Sequence, residues 1–358
     1  LVHSLIRWRA ALLLLPLLAL AHTSAAQEWD SVAVQHQGRV KPLATVATTA
    51  VPFILGRSTG YAESVETLSL WLTSPTALTH HTRLHLPKPT TQQALGLPPG
   101  GDYTLLQLVA ALAPLPSTIQ QLEALPAAQR AAPQQDILTV AERADTALAL
   151  ARTFILLQPI HTPSPALAKA LKVPESQPLT AAALLAKREA LLALTQTLTS
   201  ARVLTPLQRE VMEVAHKLRS LRPDIPNTLF RVIPPAPGQN VWLTPWMALQ
   251  PSTTLVAPQQ AALHAWQATL SQGAQPPASH SFTLQLETLG LQYPPITLAL
   301  IPLALALLSL IPLPRLTFPL ALAGFGLLGL GLLARMIILG RPPVATLYES
   351  VLFVAWAT

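Results

Sequence analysis

The chain has 358 residues, of which 51% are hydrophobic and 11% charged, with a formal net charge of +7 and no cysteine. So apolar a composition places part of the chain in lipid, and the missing cysteine excludes disulfides, thiolate metal sites and a C-x-x-C-H haem attachment site. The 23 basic residues never form a run of five, which argues against nucleic acid and for a basic surface facing anionic lipid or an anionic small molecule.

Thirty-six prolines among abundant Ala and Leu predict short helices broken by Pro-rich connections. The expected fold class is mainly α: an exported helical domain with minor β, followed by an α-helical membrane bundle that is truncated. Residues 1–26 carry Arg7 and Arg9 beside Trp8, an apolar core from Ala10 to Leu20, and then Ser24-Ala25-Ala26. That is the layout of an export signal cut after Ala26, or of an uncleaved N-terminal anchor, and either way residues 27–292 are exported.

From Val34 to Thr45 short apolar and polar residues alternate around Gly38 and stop at Pro42. This predicts a small hairpin or extended segment leading into a helix, with Arg39 and Lys41 either solvated or part of a docking surface for an acidic partner. Glu63 to Trp71 reads as a helix ended by Ser74-Pro75. His80, His81 and His85 follow in a Pro- and Thr-rich loop with no carboxylate close in sequence, so no metal site is expected there.

Asp102 is expected to cap a helix from Tyr103 to Ala113 whose apolar face is Leu105, Leu108, Val109 and Leu112. Further helices are expected over Asp136–Gln158, Leu179–Ser200, Pro206–Leu221 and Pro258–Ser271. The Pro206 helix starts with a capping box made by Thr205 and Gln208. Leu229 to Pro235 reads as a strand, and Trp242 and Trp246 as an aromatic corner that packs or grips a planar ligand. The 27–292 region, one domain or two loosely joined, contains no nucleophile elbow, phosphate loop, H-E-x-x-H or Rossmann glycine pattern, and no residue in it stands out as an acid, base or nucleophile.

At Tyr293-Pro294-Pro295 the composition changes, and residues 293–358 read as a transmembrane region. Spans are expected at about 296–313 and 318–339, with a third starting from 347. Only Pro314-Arg315-Leu316-Thr317 separates the first two, which therefore form a tight antiparallel pair with Gly324, Gly326, Gly329 and Gly331 allowing close contact. With 27–292 outside, Arg315 lies in the cytoplasm and Arg335 and Arg341 lie on the outer face, against the positive-inside tendency. An anionic ligand, an acidic partner or lipid phosphate would account for them.

The bend between Arg335 and Trp356 is the candidate site. Gly340 releases the helix, Arg341 follows, and Pro342-Pro343 stiffens the connection. Tyr348 suits an interface, and Glu349 entering a membrane helix needs a partner such as Arg335 or Arg341. Arg335, Arg341, Tyr348, Glu349 and Trp356 thus form either a cofactor site or a structural bend.

Here the chain resembles the CcsA-type cytochrome c biogenesis proteins of the haem-handling superfamily. Their R-x4-G-R-P-P-V-x-N-L-Y-E-S-type bend is matched by Arg335, Gly340-Arg341-Pro342-Pro343-Val344 and Leu347-Tyr348-Glu349-Ser350, with Thr346 in place of Asn. Near the start, Gly38-Arg39-Val40-Lys41-Pro42-Leu43 and Thr45 match the V-Q-x-G-R-V-K-P-L-D-T stretch of versions with an exported N-terminal region, with Ala44 in place of Asp. The Phe230 to Trp242 stretch is similar to such versions less specifically.

The resemblance implies a multi-pass protein of the bacterial cytoplasmic (inner) membrane with its large domain in the periplasm. It implies haem as cofactor, apocytochrome c and a ResB/CcsB-type accessory membrane subunit as partners, and possible membership of a cytochrome c synthase complex. The family's Trp-rich haem loop and axial histidines have no counterpart here, so the expectation is a front portion of a longer protein, or a split subunit. The competing expectation is a membrane-anchored exported scaffold that binds a partner protein and no cofactor.

Overall fold

A computed structural model of the chain describes residues 25–175, 178–196, 204–221, 230–250, 253–277, 279, 281–310, 313–340, 350–351, 353–354 and 356. Nearly all of the expected export signal lies outside the described residues, as do Arg341, Pro342, Pro343, Leu347, Tyr348 and Glu349 of the bend. Among the described residues the fold is mainly helical, with three small two-stranded antiparallel ladders.

Helix α1 (Ala25–Asp30) leads into the hairpin of β1 (Ala33–His36) and β2 (Arg39–Pro42), in which His36 faces Arg39. The two turn residues, Gln37 and Gly38, both have positive φ (52° and 78°), as a tight hairpin matched to strand twist requires. Pro42 ends the ladder, and α2 (Leu43–Leu55) begins at the next residue. Val46, Ala47, Val51 and Ile54 of α2 are buried against Val65, Leu68, Trp71 and Leu72 of α3 (Tyr61–Thr73). Gly56 closes α2 at φ 72°, where a Cβ would run into the His85 carbonyl, so only glycine fits.

The expected cap at Asp102 is not the one used. Asp102–Thr104 forms β4 and pairs with β3 (Arg83–His85), with α4 (Pro89–Ala94) between them. Tyr103 is buried in the core, its hydroxyl donating to the Pro98 carbonyl, and this burial pulls the segment into extended form. Thr104 then caps α5 (Leu105–Leu112) in a capping box with Gln107. After α6 (Pro116–Ala124) comes α7 (Ala132–Thr153), which starts four residues before the expected Asp136 because the Gln134 side chain accepts from the Ala131 N–H and Pro133 sits in the first turn. Its face of Val140, Ala144, Ala147, Leu150 and Ala151 completes the main core.

A second, smaller core follows. It is built from β5 (Pro159–His161), α8 (Pro165–Leu171), β6 (Leu179–Thr180), α9 (Ala181–Ala186), α10 (Arg188–Gln196) and α11 (Pro206–Ser220), which bury Leu167, Leu171, Leu184, Val211 and Val214 together. The helix expected over Leu179–Ser200 is therefore divided: Leu179 and Thr180 pair with β5, Thr180 caps α9, and Lys187 separates α9 from α10. The Thr205–Gln208 capping box of α11 is formed as its spacing implies. Glu210 ties this unit together, accepting from His161 Nε2 (2.8 Å), the Ser164 N–H (2.8 Å) and the Ser164 hydroxyl.

Phe230 to Pro235 makes only isolated bridges, Gln35 with Arg231 and Ile233 with Leu243, because Pro234 and Pro235 have no N–H to extend a ladder. After α12 (Pro245–Ala248), Trp266 of α13 (Ala257–Gln272) is buried against Phe154, with ring centroids 4.5 Å apart. Trp242 and Trp246 are only partly buried.

Three apolar helices follow: α14 (Phe282–Gln292), α15 (Pro295–Ser309) and α16 (Pro314–Leu339). Among the described residues α16 alone is long and apolar enough to cross a membrane, while α14 and α15 qualify only as one span bent by 48°. At about 1.5 Å per residue the fifteen residues of α15 fall short of a ~30 Å hydrocarbon core. Pro294 and Pro295 break the helix where an unbroken span would need backbone N–H groups. Helices α15 and α16 run antiparallel: a Cβ on Gly324 would lie 2.5 Å from Leu303 Cγ, and Ser309 bonds Thr317 across the turn. Their outward faces, among them Leu307, Leu308, Phe318 and Leu330, are exposed and apolar, as lipid contact demands.

Candidate functional site

The hairpin and the apolar helices meet at a polar joint. Glu287 of α14, whose side chain is 10% exposed, accepts two parallel bonds from Arg39 of β2 (Nη1 at 2.8 Å and Nη2 at 2.7 Å) and a third from the Thr45 hydroxyl of α2 (2.7 Å). This fork-to-fork arrangement is the strongest form of Arg–carboxylate contact. Lys41, two residues along the same strand, is held below the usual lysine range first by burial and then by the Arg39 charge.

At the far end of α14, Gln292 Nε2 donates to Asp30 Oδ2 (2.9 Å) and to the Tyr61 hydroxyl (3.3 Å). Asp30 is buried, with its Oδ1 making no hydrogen bond among the described residues, and burial pushes its carboxyl above the ordinary range. Burial and then Asp30 push the Tyr61 hydroxyl upward as well. Helix α14 is thus fastened to the helical body at its middle and at its C-terminal end by polar contacts that replace hydration on burial.

Between the hairpin, α14 and the end of α16 lies a cavity of about 280 Å³. Arg39 and Glu287 form one wall; Gly331, Ala334, Arg335, Ile338 and Leu339 form the other; Leu286, Leu291, Pro294 and Pro295 complete it. The structure therefore brings Arg39 of the first resemblance motif and Arg335 of the second to one place. Gly340 closes α16 in the left-handed conformation (φ 64°), its N–H bonded to the Met336 carbonyl, and Gly38 occupies the hairpin turn. Pro42 is the residue at which β2 becomes α2.

Trp356 is brought instead against the middle of α16. Its indole stacks on Phe325 (5.4 Å between centroids, 11° between planes), and a Cβ on Gly329 would lie 2.8 Å from its Nε1. Ser350 stands in helical conformation before it. The expected pairing of Glu349 with Arg335 or Arg341 falls outside the described residues.

Sequence reasoning missed Glu287 and Asp30. The signal for Glu287 is present, since it is the lone charge in the apolar stretch Phe282–Gln292 just before α15 and α16. The histidines of the 80–85 stretch separate: His85 Nδ1 meets Asp102 Oδ1 at 2.8 Å on the surface, while the rings of His80 and His81 lie 6.4 Å apart. Among the described residues no three His, Asp or Glu side chains gather as metal ligands would.

A larger groove, about 790 Å³, runs between the hairpin turn and α7. Its rim carries Glu123, Glu142 and Asp145, and its floor carries Leu150 and Phe230. His36 stands edge-on to Phe230 (5.1 Å), with its Nδ1 buried and making no hydrogen bond among the described residues. Burial first, and Lys41 second, lower the tendency of His36 to protonate. No protein-family model, curated protein or solved structure matches this chain.

Proposed function

We propose that the chain is a membrane assembly factor for c-type cytochromes, helping deliver haem to apocytochrome c at the outer face of the bacterial cytoplasmic membrane. In this reading it belongs to a multi-pass assembly with a periplasmic body, working with a ResB/CcsB-type accessory membrane subunit. The observation that supports it is the meeting of Arg39 and Arg335, one from each family-like motif, on a single cavity.

Haem is cargo here, and the cavity's residues fit one edge of it. Guanidinium groups suit the carboxylate edge of a porphyrin, but no histidine lines the 280 Å³ cavity, which lies below the ~300–1,000 Å³ usual for ligands of that size. The part assigned to these residues is therefore orientation of the acidic edge: Glu287 holds Arg39 in a fixed direction, and Arg335 faces it from α16. Ring binding and thioether formation would rest on residues elsewhere.

The experiment is to express the full reading frame with its accessory subunit and measure bound haem by absorbance and cytochrome c maturation in cells. An Arg335→Gln, Arg341→Gln double variant is expected to lose most of both. Unchanged haem and unchanged maturation would overturn the reading. The second reading, a membrane-anchored scaffold that docks a partner protein without cofactor, is favoured by the large groove beside α7, and predicts partner capture by the full chain with no haem absorbance.

A further inference from the structure

The end of α16 lies at a depth that its own charges specify. Arg315 and Arg335 are its only charged residues and stand twenty positions apart, about 30 Å along the axis at 1.5 Å per residue. That equals the thickness of a hydrocarbon core. A bilayer around α16 therefore places one guanidinium in each headgroup layer, where long basic side chains settle.

The cavity against Arg335 thus opens at headgroup depth. Its chemistry is divided in the same way as a lipid's: Leu291, Ile338 and Leu339 offer an apolar wall, and Arg39 and Arg335 offer guanidinium groups. Arg39 spends two of its five N–H groups on Glu287 and remains 36% exposed, so it still has donors for a second anion. Lys41 adds positive charge beside it, being close enough to Arg39 for the two charges to repel. Arg39 and Arg335 therefore both present guanidinium groups to the cavity at the level of the headgroups.

From these observations we infer that this cavity binds the phosphodiester headgroup of an anionic glycerophospholipid, held between Arg39 and Arg335, with Glu287 competing against the phosphate for Arg39. Such a lipid would complete the joint between the body and the span, filling space that protein side chains leave. The inference rests on depth and wall chemistry; where the same two guanidiniums receive a porphyrin's acidic edge, the lipid would hold the site only while no haem is there.

Native mass spectrometry of the full chain, released from mixed micelles of phosphatidylglycerol and phosphatidylcholine with identical acyl chains, tests it. Phosphatidylglycerol should be retained about tenfold over phosphatidylcholine. Arg335→Gln should abolish that preference, Arg335→Lys should keep part of it, and Arg315→Gln at the other membrane face should leave it intact. Glu287→Gln, by freeing Arg39, should strengthen it. Equal retention of the two lipids would overturn the inference, as would an equal loss in Arg315→Gln and Arg335→Gln, which marks general attraction to negative charge. Displacement of the lipid by millimolar inorganic phosphate would assign the site to the free ion instead. Weakened retention in Glu287→Gln would overturn the competition. Haem absorbance of the same variants, read separately, tells failure of this inference from failure of the haem reading.

Discussion

Replacing Glu287 by Ala tests whether the joint at α14 is a local fastening or part of the global core. The change removes three hydrogen bonds to an ionised carboxylate that is 10% exposed, two of them from a guanidinium. Orphaning the partner of a fully buried ion pair costs about 3–5 kcal/mol. Arg39 is 36% exposed and can turn to water, so about 2 kcal/mol is the magnitude expected. The loss falls on the docking of α14, since Glu287 reaches only β2 and the start of α2, while the core around Leu68, Trp71 and Leu105 is untouched. Hydrogen exchange measured by mass spectrometry on the full chain should show amides of 282–292 opening about thirtyfold faster, the factor equivalent to 2 kcal/mol. Amides of Tyr61–Thr73 should keep their wild-type rate. Unchanged exchange in 282–292 would refute the joint, and an equal rise in both segments would show that the contact supports the whole fold.

The other contacts of the joint and the helix pair have distinct signatures. Asp30 has its carboxyl raised by burial, so its ionised form opposes folding: the cost is fully present above the folded pKa and is relieved as pH falls through it toward the unfolded value. Protection of 282–292, corrected for intrinsic exchange, should therefore increase on mild acidification, and Asp30→Asn should flatten that dependence; a wild-type slope in Asp30→Asn would assign it to another group. Gly324→Ala places a methyl 2.5 Å from Leu303 Cγ, whereas Gly326→Ala meets nothing within 4 Å. Thermal unfolding should show the first destabilised by about 1–3 kcal/mol and the second unaffected, and equal behaviour of the two would contradict the observed face of contact between α15 and α16.

Some features need only a few neighbouring residues and were legible for that reason. Thr205 and Gln208 satisfy each other's backbone N–H groups across three positions, and the helix starts there whatever packs above it. Gly38 and Pro42 set the turn and the end of a hairpin, and α2 follows. The uncharged run between Arg315 and Arg335 is long and apolar enough to cross a membrane by length and transfer energy alone. Where local signals compete, the same reasoning misassigns: Asp102 has the chemistry of a cap, but burial of Tyr103 outweighs it and makes the residue a strand partner of His85. Leu179 likewise fits a helical period yet pairs with β5.

By itself, then, the sequence determined the mainly helical class, the hairpin ahead of α2, the capped starts and the lipid-length apolar helix, because each follows from sterics, hydrogen-bond supply or hydrophobicity within one turn or one run. Tertiary structure alone decided that Glu287 closes on Arg39, 248 positions away, and that Arg335 faces the same cavity. No local pattern encodes such a meeting. A charge in an apolar helix announces that it needs a partner, but which one it finds depends on how the whole chain buries its core.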